Sequence, residues 1–246
     1  MDNLPIQAKP HYPIIMQEHE GLQVVRGDLY PGGLKCSALT DILFEEISND
    51  EVAYAGCYYG HSSYALGLAA LLSGKRVRLF MPAPQQNTYI FSQIQSLTNV
   101  KIEIVAGQHQ DTVQEEAREY ACAAGAYLLP IGLDSEQFRR RYIGVMHRAM
   151  HNLARVPRAI WTSAGSGVTA RCLQEAFPSA RVHVVDLGVR KSPLVGSPAS
   201  LWSIPERLSE PARTPPPWPS ASYYDAKIWQ VLRLHAKPGD LVWNIA

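Results

Sequence analysis

The chain has 246 residues, 46% of them hydrophobic, and a formal net charge of +1. That is enough apolar side chain to bury a full core, as one large domain or two small ones, and the near-neutral balance gives no global reason to expect nucleic-acid binding. No apolar run is long enough to cross a membrane, and the N-terminal MDNLPIQAKPHYPI lacks the basic-then-apolar layout of a secretion signal, so a cytoplasmic location is expected.

In chain order, Leu22 to Arg26 reads as a short strand, and DLYPGGLK as a turn that delivers Lys35 to a helix from Cys36 to Ile47. A strand at Val52 to Ala55, a polar turn from Gly56 to Ser63 and an Ala/Leu-rich helix from Tyr64 to Leu72 follow. KRVRLFMP and VKIEIVAG read as strands on either side of a helix from Asn87 to Ser96. A helix from Asp111 to Ala124 then leads to the strand AYLLP. A long helix, Glu136 to Ala154, precedes a strand at Ala159 to Ser163, a helix at Val168 to Phe177 and the strand RVHVVDLG. This alternation predicts an α/β protein with parallel sheet covered on both faces. From Ser192 to Tyr224 proline and serine crowd the sequence and exclude regular structure. A helix from Asp225 to His235 and a strand from Asp240 to Ile245 complete the sequence, and the terminal strand is expected to lie inside a sheet. Cys36, Cys57, Cys122 and Cys172 have neither metal-type nor disulfide-type spacing, so no metal site is expected.

The stretch AIWTSAGSGVTARCLQEAF is strand, glycine turn and helix. Glycines allow a left-handed backbone and close approach of a ligand. The first amides of the new helix are unpaired and carry its positive dipole end. With hydroxyls at Ser166 and Thr169 the natural guest is an anion such as a phosphate monoester, although a tight turn alone explains the pattern equally well. Lys35 is the second chemical feature. A lysine amine becomes a nucleophile toward an aldehyde when its pKa is lowered, and a phosphate-anchored aldehyde cofactor is pyridoxal phosphate.

On these segments the sequence resembles the fold type II pyridoxal-phosphate enzymes, the group of tryptophan synthase β, D-cysteine desulfhydrase and aminocyclopropane-carboxylate deaminase. VVRGDLYPGGLKCSALTDIL is similar to the segment with the Schiff-base lysine, and AGCYYGHSSYALGLAALLSGKRV to the substrate-carboxylate loop. GAYLLPIGLDSEQFRRRYIG and TSAGSGVTA are similar to the segment before the phosphate loop and to that loop itself. The resemblance implies two open, mainly parallel α/β/α sheets with a shortened small domain. Residues 1–46 and 128–246 would form the large domain and 47–127 the small one, in a homodimer. It implies that Lys35 carries the cofactor, that Gly165, Ser166, Gly167, Val168 and Thr169 bind its phosphate, and that Tyr58, Tyr59, Gly60, His61, Ser62 and Ser63 bind substrate. Asn244 is the candidate for facing the pyridine nitrogen, or else a structural strand residue.

Two departures from the family pattern bear on the reaction. Val168 replaces a glycine, which keeps a backbone donor but is expected to crowd the phosphate. The family's Ser-Asn-His or Ser-Asn-Thr carboxylate clamp is replaced by the Tyr58–Ser63 turn, which has no asparagine. A looser clamp would let the carboxylate leave the ring plane, which favours decarboxylation with His61 or Lys35 returning the proton. The compact chain also resembles versions found in bacteriophage genomes beside DNA-base hypermodification genes. That resemblance implies a host-cytoplasmic enzyme acting on an amino acid attached to a DNA pyrimidine. Elimination or deamination of a small free amino acid is the competing reading. GSGVTA with Asp186 also fits a Rossmann-type nucleotide or methyl-donor fingerprint. Arg141, Arg148 and Arg155 share one side of the long helix, joined by Arg139, Arg140 and His151, as a solvated face or a stripe for DNA or a partner subunit.

Overall fold

The computed structural model describes residues 13–107, 109–151, 153, 156–188 and 198–246. Apolar and β-branched runs become β1 (Met16–His19), β2 (Leu22–Arg26), β3 (Glu51–Ala55), β4 (Arg76–Pro82), β5 (Val100–Val105), β6 (Tyr127–Leu129), β7 (Ala159–Ala164), β8 (Arg181–Asp186), β9 (Ser200–Ser203) and β10 (Leu241–Asn244). Between them lie α1 (Gly33–Glu45), α2 (His61–Leu72), α3 (Tyr89–Gln95), α4 (Gln110–Ala124), α5 (Glu136–Met150), α6 (Val168–Ala176) and α7 (Trp229–His235), the last entered through a 3-10 turn at Asp225–Ile228.

The larger sheet has the order β1-β2-β10-β7-β8-β9 and is parallel except for the β1–β2 hairpin. The smaller sheet, β5-β4-β3-β6, is parallel throughout. This is the two-sheet architecture that the resemblance implied. β6 belongs to the smaller sheet, which spans Glu51 to Leu129, so a boundary between residues 127 and 128 cuts through a strand. β10 sits between β2 and β7, and all four of its residues are buried.

Period-two alternation sends the large sheet's side chains to two cores. Val25, Ile160, Val184 and Trp243 join the side packed by α1, α5 and α6, with Leu39, Phe138 and Tyr142. Val24, Trp161, Val185 and Val242 face the other way, under Trp218, Ile228 and Leu232. α4 covers the outer face of the smaller sheet, placing Val113 and Ala117 on Ala53 and Phe80.

The proline-rich stretch departs from expectation. It supplies β9, an edge strand of the larger sheet, and a buried Trp218. It is also tied down by Lys227, which donates from Nζ to the Arg207 carbonyl at 2.7 Å. Residues 192–197 of the stretch lie outside the described residues. Two helices start earlier than their composition predicts, α1 at Gly33 and α2 at His61. Lys35 thereby falls in the first turn of α1, and His61 opens α2. α5 ends at Met150 rather than Ala154.

Candidate active site

A cavity of about 480 Å³ lies where the two sheets meet. Lys35 enters it from α1, Tyr59, Gly60, Ser62 and Ser63 from the start of α2, and Gly165, Ser166, Gly167 and Thr169 from the β7–α6 turn. Parallel strands direct their C-terminal ends and the helix N-termini that follow toward one edge, which is why segments so distant in sequence converge.

The β7–α6 turn has the geometry of an anion cradle. Gly167 caps α6 with φ at 96°, a left-handed conformation that side chains resist, and so directs the first helical amides toward the cavity edge. At Gly165 a Cβ atom would stand 2.6 Å from the Tyr224 ring, so only glycine lets that ring close the site. Val168 is completely buried among core residues, so the predicted crowding of the cavity does not arise. Thr169 is buried, lines the cavity and has its hydroxyl within hydrogen-bonding reach of Tyr142. Among the described residues no Asp or Glu lines the cavity, so no acidic side chain directly faces an anion there.

Lys35 Nζ lies 3.4 Å from Ser62 Oγ. Burial pushes the lysine's pKa down, opposed by the Asp225 carboxylate, which favours the neutral, nucleophilic amine. Asp225 is the group the sequence reading missed. It is 2% exposed and accepts hydrogen bonds from Ser163 Oγ at 2.6 Å, the Ile245 amide at 3.0 Å and the Ala246 amide at 3.3 Å. Burial pushes its carboxyl up to about 6, with those bonds and Lys35 holding it back. Ser163 and Tyr224 line the cavity in front of it. A carboxylate after paired tyrosines, at the head of an apolar segment, was the available signal.

The remaining predicted positions divide. Asn244 is buried outside the cavity, donating to Asp28 Oδ1 and the Pro219 carbonyl and accepting from Ser220 Oγ. Tyr58 is buried, touches Tyr59 edge-on, and offers its carbonyl to Thr88. His61 faces a second chamber rather than the Lys35 cavity. The Asp186 carboxylate receives the Gly188 amide at 2.9 Å, closing its own turn instead of reaching a ribose. Of the stripe Arg141 is ion-paired and Arg148 donates to Ser37 Oγ at 3.4 Å, while the flanking Arg139 and Arg140 are paired. Arg141 binds Glu45 and Glu46 at 2.5 and 2.7 Å, Arg140 binds Glu46 at 2.9 Å, and Arg139 binds Asp134. Arg140 and Arg141 therefore join α5 to the end of α1, and Arg155 lies outside the described residues.

Both ring nitrogens of His61 are buried and neither makes a hydrogen bond of good geometry, the Gly32 backbone being the one group that favours the ring's charged form. Burial first, and Lys35 second, lower its pKa from 6.5 to about 4. The folded chain then binds this proton less tightly than the unfolded chain. Its share of stability is therefore complete above pH 6.5 and falls as the pH drops from 6.5 toward 4. Denaturant titration of the cofactor-free proteins at pH 7.5 and pH 5 is expected to show the parent losing on the order of 1–2 kcal/mol more than His61→Gln, while Asp225, raised to about 6, shifts both proteins the other way. Equal pH dependence in both proteins would mean that the ring is solvated.

No protein-family model matches the sequence, and no curated protein matches it significantly. Solved structures do match its fold. An ACC deaminase homologue aligns with a TM-score of 0.76 at 16% identity, over 92% of this chain and 84% of that one. The O-acetylserine-dependent cystathionine β-synthase of Helicobacter pylori aligns at 0.65 and 15% identity, covering 99% and 95%. A threonine deaminase from T.th. aligns at 0.64 and 14% identity, covering 92% and 86%. The fold is thus the fold type II architecture.

Proposed function

We propose that the protein is a pyridoxal-phosphate enzyme that breaks a bond at Cα of an amino-acid group. The observation that carries this reading is one cavity holding both a buried amine, Lys35, and an acid-free anion cradle at the α6 N-terminus. Those residues fit the cofactor: Lys35 would hold its aldehyde carbon, and the amides and hydroxyls of Gly165–Thr169 its phosphate. Ser163, backed by Asp225, replaces Asn244 as the candidate for the pyridine nitrogen, because Asn244 is engaged elsewhere. Bound there, pyridoxal phosphate supplies an electron sink that weakens the bonds at Cα. Lys35, its pKa lowered by burial and its amine close to the Ser62 hydroxyl, can take or return a proton at that carbon.

Within this chemistry we favour loss of carbon dioxide from an amino acid carried on a larger acceptor such as a DNA pyrimidine. Lys35 is the only Lys or Arg among the described residues that line the cavity. A substrate carboxylate therefore meets only the hydroxyls and amides of the Tyr59–Ser63 turn, a weak clamp that leaves it free to leave the ring plane. The second reading, deamination or elimination on a small free amino acid, draws on the fold's likeness to an ACC deaminase homologue and a threonine deaminase. Incubation with free amino acids and with aminoacylated-pyrimidine DNA, assayed for carbon dioxide, ammonia and keto acid, separates them. Carbon dioxide without ammonia is the expected product pattern. Ammonia and keto acid from a free amino acid, with the modified DNA untouched, would overturn the decarboxylase.

A further inference from the structure

Beside the Lys35 cavity lies a second chamber of about 610 Å³, within the size range of small-molecule sites. The two share Tyr59 as a wall. Tyr30, Tyr64, Tyr89 and Tyr223 complete a tyrosine lining, and His61 contributes from the start of α2. Among the described residues no Lys or Arg lines this chamber. Among the described residues its one acidic side chain, Asp28, is paired with Arg26 and bonded by Asn244.

Aromatic faces without a cation suit a flat, uncharged guest, because stacking on a ring is tolerant of the guest's identity but demands a planar face. Tyr59 and Tyr223 already lie near parallel, 28° apart with centroids separated by 6.1 Å. Tyr64 stands edge-on to His61 at 5.7 Å. The His61 nitrogens are buried, with the Gly32 backbone as their neighbour and no hydrogen bond of good geometry. A neutral imidazole offers one donor and one acceptor, and the Gly32 carbonyl takes at most the donor, so a guest with a polar edge can meet the nitrogen that is left.

We propose that this chamber receives the substrate's side chain, and that the side chain is a planar, uncharged ring with a polar edge that meets His61. The inference rests on the cofactor reading of the neighbouring cavity but not on which bond is broken. A nucleobase and a phenolic amino-acid side chain share this chemistry.

Saturation-transfer NMR with thymidine, p-cresol and the non-planar cyclohexylmethanol tests it on the protein as purified and on Lys35→Ala. One or both flat probes are expected to bind both proteins, roughly tenfold more tightly than cyclohexylmethanol. His61→Ala and Tyr64→Ala should each weaken binding by roughly tenfold. Tyr64 packs partly on the core, so Tyr89→Ala, at a residue 76% exposed, provides a variant whose folding is not at risk. Thymidine binding alone identifies a nucleobase guest, and p-cresol binding alone a phenolic one. Equal binding of cyclohexylmethanol, or ring binding unchanged in His61→Ala, Tyr64→Ala and Tyr89→Ala, overturns the proposal. Ring binding by a protein that never takes up pyridoxal phosphate would remove the cofactor reading and keep the chamber, while cofactor uptake without ring binding does the reverse.

Discussion

Lys35→Ala is expected to lower turnover by roughly 10³-fold or more, since it deletes the amine that both attacks the aldehyde and moves the Cα proton. Lys35→Arg should not rescue it, because a guanidinium cannot give up its proton to become a nucleophile. The fold should survive. Among the described residues the side chain's one hydrogen bond is the 3.4 Å contact with Ser62, and removing a desolvated amine relieves a cost. Thermal melts of the cofactor-free proteins should therefore nearly coincide. A variant that melts with the parent and still turns over at the parental rate would remove Lys35 from the chemistry.

Gly167→Asp is expected to weaken pyridoxal-phosphate binding at least a hundredfold, that is, by about 3 kcal/mol or more. Two effects add. Aspartate must adopt the left-handed φ of 96° that Gly167 holds, and its carboxylate would stand at the α6 N-terminus where the phosphate is expected. Thr169→Ala deletes a single hydroxyl, and a loss of roughly tenfold is expected, in line with about 1.5 kcal/mol for one charge-assisted bond. Titrating the cofactor-free proteins with pyridoxal phosphate measures both. Unchanged affinity in the two variants would place the phosphate elsewhere.

The strand and helix order was legible because strands buried on both faces carry runs free of charged residues, as AIWTSA does in β7 with all six residues buried. β9 was hidden by proline and serine on both sides, since an edge strand needs partners on one side only. The phosphate cradle was legible for a different reason: its parts are contiguous in sequence. Asp225 was not, because its bonds to Ser163, Ile245 and Ala246 reach 62, 20 and 21 residues along the chain. Helical periodicity grouped the arginines of α5 correctly but could not show Glu45 and Glu46 arriving from α1. The tyrosines of the second chamber come from segments as distant as Tyr30 and Tyr223, so no local pattern announces them.

The most direct test of the central claim is borohydride reduction of the purified protein after incubation with pyridoxal phosphate, followed by peptide mass mapping. The expected result is a visible absorption band that reduction abolishes, with the reduced cofactor recovered on Lys35 alone. A colourless protein, or an adduct spread over surface lysines with Lys35 unmodified, would contradict the assignment of this cavity.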